Sequence, residues 1–170
     1  MSYSLVPLPG GQVAKVDRED FPLVADSVWT LVRIGRVNYA RRSVKQPDGT
    51  WRNEYMHRLI LRAETVDHRN GDGLDNRRGN LRPATRAQNL QNISRPPGES
   101  GFRGVEHYPK KGKWRANIGF GGKCIRLGYF NSPEDAARAR DAKARELHGE
   151  FAVLNFPRPG ERGVPIRKEK

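Results

Sequence analysis

Between Lys113 and Phe120 apolar and polar positions alternate. Trp114, Ala116, Ile118 and Phe120 fall on one side, and Lys113, Arg115 and Asn117 on the other. Side chains alternate across a strand with period two, so this pattern predicts a strand with one apolar and one basic face. Gly121-Gly122 supplies a two-residue hairpin turn. Lys123 to Phe130 continues as a second strand, with Ile125, Leu127 and Tyr129 expected inward and Arg126 outward. Phe102 to Tyr108, followed by the turn Pro109-Lys110-Lys111-Gly112, reads as the strand before them. The period then changes. Ser132 is an N-cap, Pro133 stands at N1, and Glu134 and Asp135 suit the positive end of a helix dipole. This helix runs to His148, with Gly149 as its C-cap. Ala136, Ala137, Ala139, Ala142 and Ala144 let it approach the sheet closely, and Leu147, Phe151, Leu154 and Phe156 complete a core.

The N-terminal half is more broken. Leu5 to Leu8 and Val13 to Val16 flank Pro9-Gly10-Gly11 as a hairpin, and Asp17 to Phe21 predicts a short helix curtailed by Pro22. Trp29–Ile34, Val37–Val44 and Trp51–Tyr55 predict a small antiparallel sheet, a supporting platform. Tyr55 to Leu61 suggests one or two helical turns. Val66-Asp67-His68 reads as a strand end, and Asn70 to Gly79 as a Gly- and Asn-rich loop. Thr85-Arg86-Ala87-Gln88 matches a capping box, so a helix should start near Arg86 and carry Asn89. Ser94 to Ser100, with Pro96-Pro97-Gly98, reads as a linker, and Arg158 to Lys170 as a basic disordered arm.

Charge is the strongest global signal. The 170 residues hold 32 Lys and Arg against 19 Asp and Glu, a net +13. The excess is densest after residue 100, and such a field favours a polyanion, above all nucleic acid. Mean hydropathy of −0.83 argues for two small modules rather than one thick globule. No apolar run is long enough for a membrane helix and no secretory signal is evident, so an intracellular location without membrane attachment is expected. Cys124 is the single cysteine, which excludes an internal disulfide and a multi-cysteine zinc site.

Two resemblances extend this reading. Met56-His57-Arg58-Leu59-Ile60, Val66-Asp67-His68-Arg69-Asn70-Gly71 and Asn80-Leu81-Arg82 resemble the HNH endonucleases of the phage and bacterial homing branch. Phe102-Arg103-Gly104-Val105, Gly112-Lys113-Trp114, Leu127-Gly128-Tyr129-Phe130, Glu134-Asp135-Ala136-Ala137, Gly149 and Leu154-Asn155-Phe156 resemble the ethylene-response-factor (Apetala-type) DNA-binding domain. The resemblances imply an α+β chain: a nuclease domain at 1–93, with a β platform at 1–55 and a ββα-metal motif at 56–93. A linker at 94–100, a DNA-binding domain at 101–157 and a tail at 158–170 follow.

The first resemblance implies site-specific, metal-dependent hydrolysis of DNA. His68 would be the general base, Asp67 and Asn89 the ligands of one magnesium or manganese ion rather than zinc, and Asn80 the residue pinning the loop. Asn92, nearly one turn on, competes with Asn89 as ligand. Where some members carry a helix histidine, Asn89 stands here. The expected DNA contacts are His57, Arg58, Arg103, Lys113, Arg115, Asn117 and Arg126, with a structural histidine as the other reading of His57. Glu106, His107 and Tyr108 occupy a region where plant members carry arginines, so base specificity does not transfer. The partner would be double-stranded DNA, bound by a monomer or weak dimer. The alternatives are a DNA-binding transcriptional regulator with an inactive nuclease fold and a nonspecific defence nuclease.

Overall fold

The alternating residues of β1 (Tyr3–Pro7) and β2 (Val13–Asp17) pair as an antiparallel hairpin, burying Val6, Ala14 and Val16 and exposing Tyr3, Leu5 and Val13. The chain, a computed structural model, is described at residues 3–92 and 98–164, with the side chains of 90–92 excepted. It divides into two units, residues 1–86 and 87–170. Both are mixed α and β, built on small antiparallel sheets.

In the first unit a 3-10 turn leads into α1 (Phe21–Ala25), whose Pro22 occupies the first turn, where no backbone N–H is needed. Trp29 is buried and donates from Nε1 to the Val24 carbonyl at 2.9 Å. Three strands, β3 (Thr30–Ile34), β4 (Val37–Lys45) and β5 (Trp51–Tyr55), form a meander in that order. Next, α2 (Met56–Leu61) buries Met56 and Ile60, four residues apart and so on one helix face. It stops at Arg62 in the left-handed region, φ 51°. Two three-residue strands follow, β6 (Val66–His68) and β7 (Leu81–Pro83), pairing Asp67 with Arg82 and His68 with Leu81. The division between units falls just after the first residue of α3 (Arg86–Asn92).

The second unit is a three-stranded antiparallel sheet, β8 (Val105–Tyr108), β9 (Lys113–Phe120) and β10 (Lys123–Phe130), backed by α4 (Pro133–His148). Ser132 caps α4 by accepting from the Asp135 N–H at 3.1 Å. Ala136, Ala137 and Ala144 are fully buried against Val105, Ala116 and Ile118, as a close helix–sheet approach requires.

Three features differ from the sequence expectations. The first strand begins at Val105, not Phe102, because Gly104 has φ 74° and breaks the extended run. β10 is bulged between Arg126 and Gly128, so inside and outside exchange after Leu127. Phe130 therefore turns inward beside Trp114, and Tyr129, expected inward, stands outside. The start of the expected tail is folded: Glu161 binds Arg145 through two 2.8 Å hydrogen bonds, and β12 (Arg162–Gly163) pairs in parallel with β11 (Val153–Leu154). Residues 165–170 of that tail, and residues 93–97 of the expected linker, lie outside the described residues. No helix among the described residues is long and apolar enough to cross a membrane.

Candidate nucleic-acid interface

Strand pairing in the second unit stacks the outward side chains into rows. Glu106, Arg115 and Tyr129 form one row across β8, β9 and β10. Tyr108 pairs with Lys113, and Asn117 with Arg126. Lys113 and Arg126 are exposed. Arg115 is held in place by Glu106, Nη2 to Oε2 at 2.6 Å, and its guanidinium lies 5.5 Å from the Tyr108 ring. The Glu106 hydrogen bond pushes the Arg115 pKa further up, so the group carries its charge throughout the usable pH range. Tyr108 and Tyr129 face each other at 5.2 Å, and the Lys111 ammonium covers Tyr129 at 4.3 Å. Cations, a carboxamide and aromatic edges on one flat face can meet phosphates, base edges and sugars together.

Of the expected DNA contacts, Lys113, Arg115, Asn117 and Arg126 share this face. Arg103 does not. It lies half-buried in the loop before β8, its backbone N–H donating to Asn155 Oδ1 at 2.7 Å and its carbonyl accepting from Asn155 Nδ2 at 3.2 Å. Tyr108, Tyr129 and Lys111 join the face without having been expected there. The signal for Tyr129 was Gly128, since a glycine inside a strand pattern often marks a bulge. Behind the sheet, buried Asp141 accepts from the Phe156 N–H at 2.8 Å and from Asn155 Nδ2 at 3.1 Å. Arg140 Nη1 donates to the Val153 carbonyl and to Asp141. These bonds tie α4 to the returning chain behind the sheet.

The other expected site residues stand in the first unit and α3. The Asp67 carboxylate is engaged by Arg82, with Nε at 2.8 Å and Nη2 at 2.6 Å from Oδ2; both side chains are buried. His68 is buried, with Nε2 3.4 Å from Asn76 Oδ1. Burial lowers its pKa, outweighing the Asn76 hydrogen bond and the charges of Asp67, Asp72 and Asp75. Its ring meets His57 edge-on at 4.9 Å and Tyr39 at 5.8 Å. Asn80 ties the loop together, accepting from the Asn70 N–H at 3.0 Å and donating to the Asp75 carbonyl at 2.7 Å. Asp75 is clamped by Arg77 through two 2.7 Å bonds. Arg78 reaches back to Asp20 with bonds of 2.8 and 2.7 Å.

His57 is corrected as a DNA contact: it is buried, stacked on Tyr55 at 5.5 Å, and points into the unit. Arg58 is exposed, its guanidinium 5.1 Å from the Tyr55 ring. Asp67 and Asn89 are the two residues expected to ligate a magnesium ion. The Asp67 carboxylate is neutralised by Arg82, and Asn89 is half-buried on α3. The side chain of Asn92 lies outside the described residues.

No family model matches the chain. Among curated proteins, 61 residues are 46% identical to the ethylene-responsive transcription factor WRI1 of Arabidopsis thaliana, covering 35% of this chain and 14% of that protein. The AP2-like ethylene-responsive transcription factors ANT of Arabidopsis thaliana and CRL5 of rice (Oryza sativa subsp. japonica) are each 43% identical over 61 residues, covering 11% and 10% of those proteins. The chain thus spans less than a fifth of the length of the relatives it matches. About a third of it is homologous to the AP2 and ethylene-response-factor type of DNA-binding domain.

These findings correct the expected activity. The relatives are named as transcription factors, which overturns the HNH homing endonuclease, the hydrolysis of DNA by His68 and the phage context that the resemblance implied. The buried Asp67–Arg82 pair and the enclosed His68 are, in this geometry, parts of the first unit's interior.

Proposed function

We propose that this chain is a DNA-binding protein of the transcriptional-regulator kind, which reads double-stranded DNA with the outer face of β8, β9 and β10. The observation that carries the reading is the 46% identity over 61 residues to a transcription factor, in a chain whose sheet gathers Lys113, Arg115, Asn117 and Arg126 on one side. Lys113 and Arg126 neutralise phosphates and set the register on the duplex. Asn117 offers one donor and one acceptor group to a base edge. Arg115 is aimed by Glu106 before binding, so less side-chain freedom is lost on docking. Tyr108 and Tyr129 support it and pack against the sugar edge.

Selection of duplexes from a random pool with the full chain tests this, followed by footprinting on the enriched sequence. One dominant motif is expected. Arg115→Ala should weaken binding to that motif by roughly ten-fold or more while leaving the circular dichroism spectrum unchanged. Failure to enrich any motif, or equal binding by Arg115→Ala, sinks the reading.

A further inference from the structure

We propose that the β4–β5 hairpin of the first unit is a second contact surface for double-stranded DNA, holding one phosphate strand with Lys45, Arg41 and Arg58 and packing Trp51 against it. This goes beyond the reading above, which concerns the second unit alone.

The register pairs Lys45 with Trp51, Ser43 with Asn53 and Arg41 with Tyr55, so these six side chains share one face of the hairpin. Trp51 is 68% exposed. An aromatic of this size left in water, on a regular strand and beside a lysine, is a contact surface waiting for a partner. Lys45, Ser43 and Asn53 are exposed as well. At the inner end of the row the Arg58 guanidinium lies over Tyr55, and half-buried Arg41 has its Nε enclosed with no hydrogen bond.

Charge decides the partner. Among the described residues, Lys45, Arg41 and Arg58 have no carboxylate within ion-pair distance. On the opposite face Arg42 is neutralised by Glu54 and covers Trp29. The acid at the hairpin tip, Asp48, is exposed and engaged within the turn by Thr50, accepting from its N–H at 2.9 Å and its hydroxyl at 2.6 Å. The face is therefore a run of unneutralised cations with two aromatics and two small polar groups. From Trp51 to Tyr55 it spans about 13 Å, the axial length of about four nucleotides of one strand. A phosphate strand supplies anions at that spacing, with sugar edges for the indole.

The test uses the full chain and a short random-sequence duplex. Lys45→Ala combined with Arg58→Ala should reduce the slope of log Kd against log salt by about two, about one per phosphate contact removed. Acrylamide quenching, read as the difference between wild type and Trp51→Phe, should show Trp51 shielded in the saturated complex. An unchanged slope with Trp51 equally quenched overturns the proposal, and is the result expected if this face serves an acidic protein instead. Arg115→Ala separates the two surfaces. If it weakens binding while the hairpin variants do not, only the hairpin proposal falls; the reverse sinks only the β8–β10 reading. No duplex binding at all sinks both.

Discussion

At the scale of single residues, burial sets the chemistry of the imidazoles. His57 is packed among Tyr39, Tyr55 and His68, and burial, helped by the neighbouring His68 and Arg58, pushes its pKa down to about 3. His68 moves in the same direction, also through burial. The unfolded chain takes up these protons near the ordinary histidine value of about 6.5, before the folded one does. Stability is therefore full above that pH and falls as the pH drops towards 3, by about 1.4 kcal/mol per pH unit for each proton withheld. Urea unfolding across this window should show the fall, and His57→Phe should flatten it. A wild-type stability independent of pH there would contradict the burial of both rings. A structural role for His57 was one of the two readings its apolar neighbours allowed, but the rings that enclose it and the Arg82 partner of Asp67 were not legible in the sequence. Each depends on a neighbour brought in by folding, as the fifteen-residue separation of Arg82 and Asp67 illustrates.

At the scale of elements, the close approach at Gly104 starts the sheet. Gly104 has φ 74°, and a Cβ there would lie 2.6 Å from the Asn117 carbonyl oxygen, a backbone atom with no room to move. Its own carbonyl accepts from the Asn117 N–H at 2.8 Å, which fixes the entry to β8. Gly104→Ala should cost about 1–3 kcal/mol of stability by combining a strained φ with that clash. Gly119→Ala is the control, because its nearest neighbour would be 3.9 Å away and its φ is ordinary. Comparison of urea midpoints checks this, and equal shifts for the two variants would count against the account. The hairpin turns, the N-cap at Ser132 and the alternation of β9 were all readable in advance, since each is a relation between near neighbours. The bulge of β10 was signalled only by Gly128 and not by the period-two pattern, which gives no count of residues left unpaired.

For the molecule as a whole, the net charge of +13 is shared: Lys and Arg exceed Asp and Glu in both units. Binding to any duplex should therefore weaken steeply with salt. Six phosphate contacts would imply a loss of about 10³ in affinity between about 50 and 200 mM salt. Titration of a labelled random duplex at several salt concentrations measures this, and a flat response would exclude an electrostatic mode of binding for either unit.

The amino-acid sequence by itself determined the basic character, the order of strands and helices, and the one-sided charge of β9. Those follow from composition and from periods of two and 3.6, which adjacent residues impose on one another. The tertiary structure decided which polar groups remain available to a partner. It placed Tyr129 outside through a bulge, withdrew His57 and Asp67 into the first unit, and folded residues 158–164 back through Glu161 and Arg145. Among the described residues it also left Lys45 and Arg58 without a carboxylate in ion-pair reach while supplying one to Arg42. The physical reason is pairing at a distance. The Arg78 guanidinium meets Asp20 across 58 residues and its backbone N–H meets Asp17 across 61, and no local pattern records which acid a given donor will find.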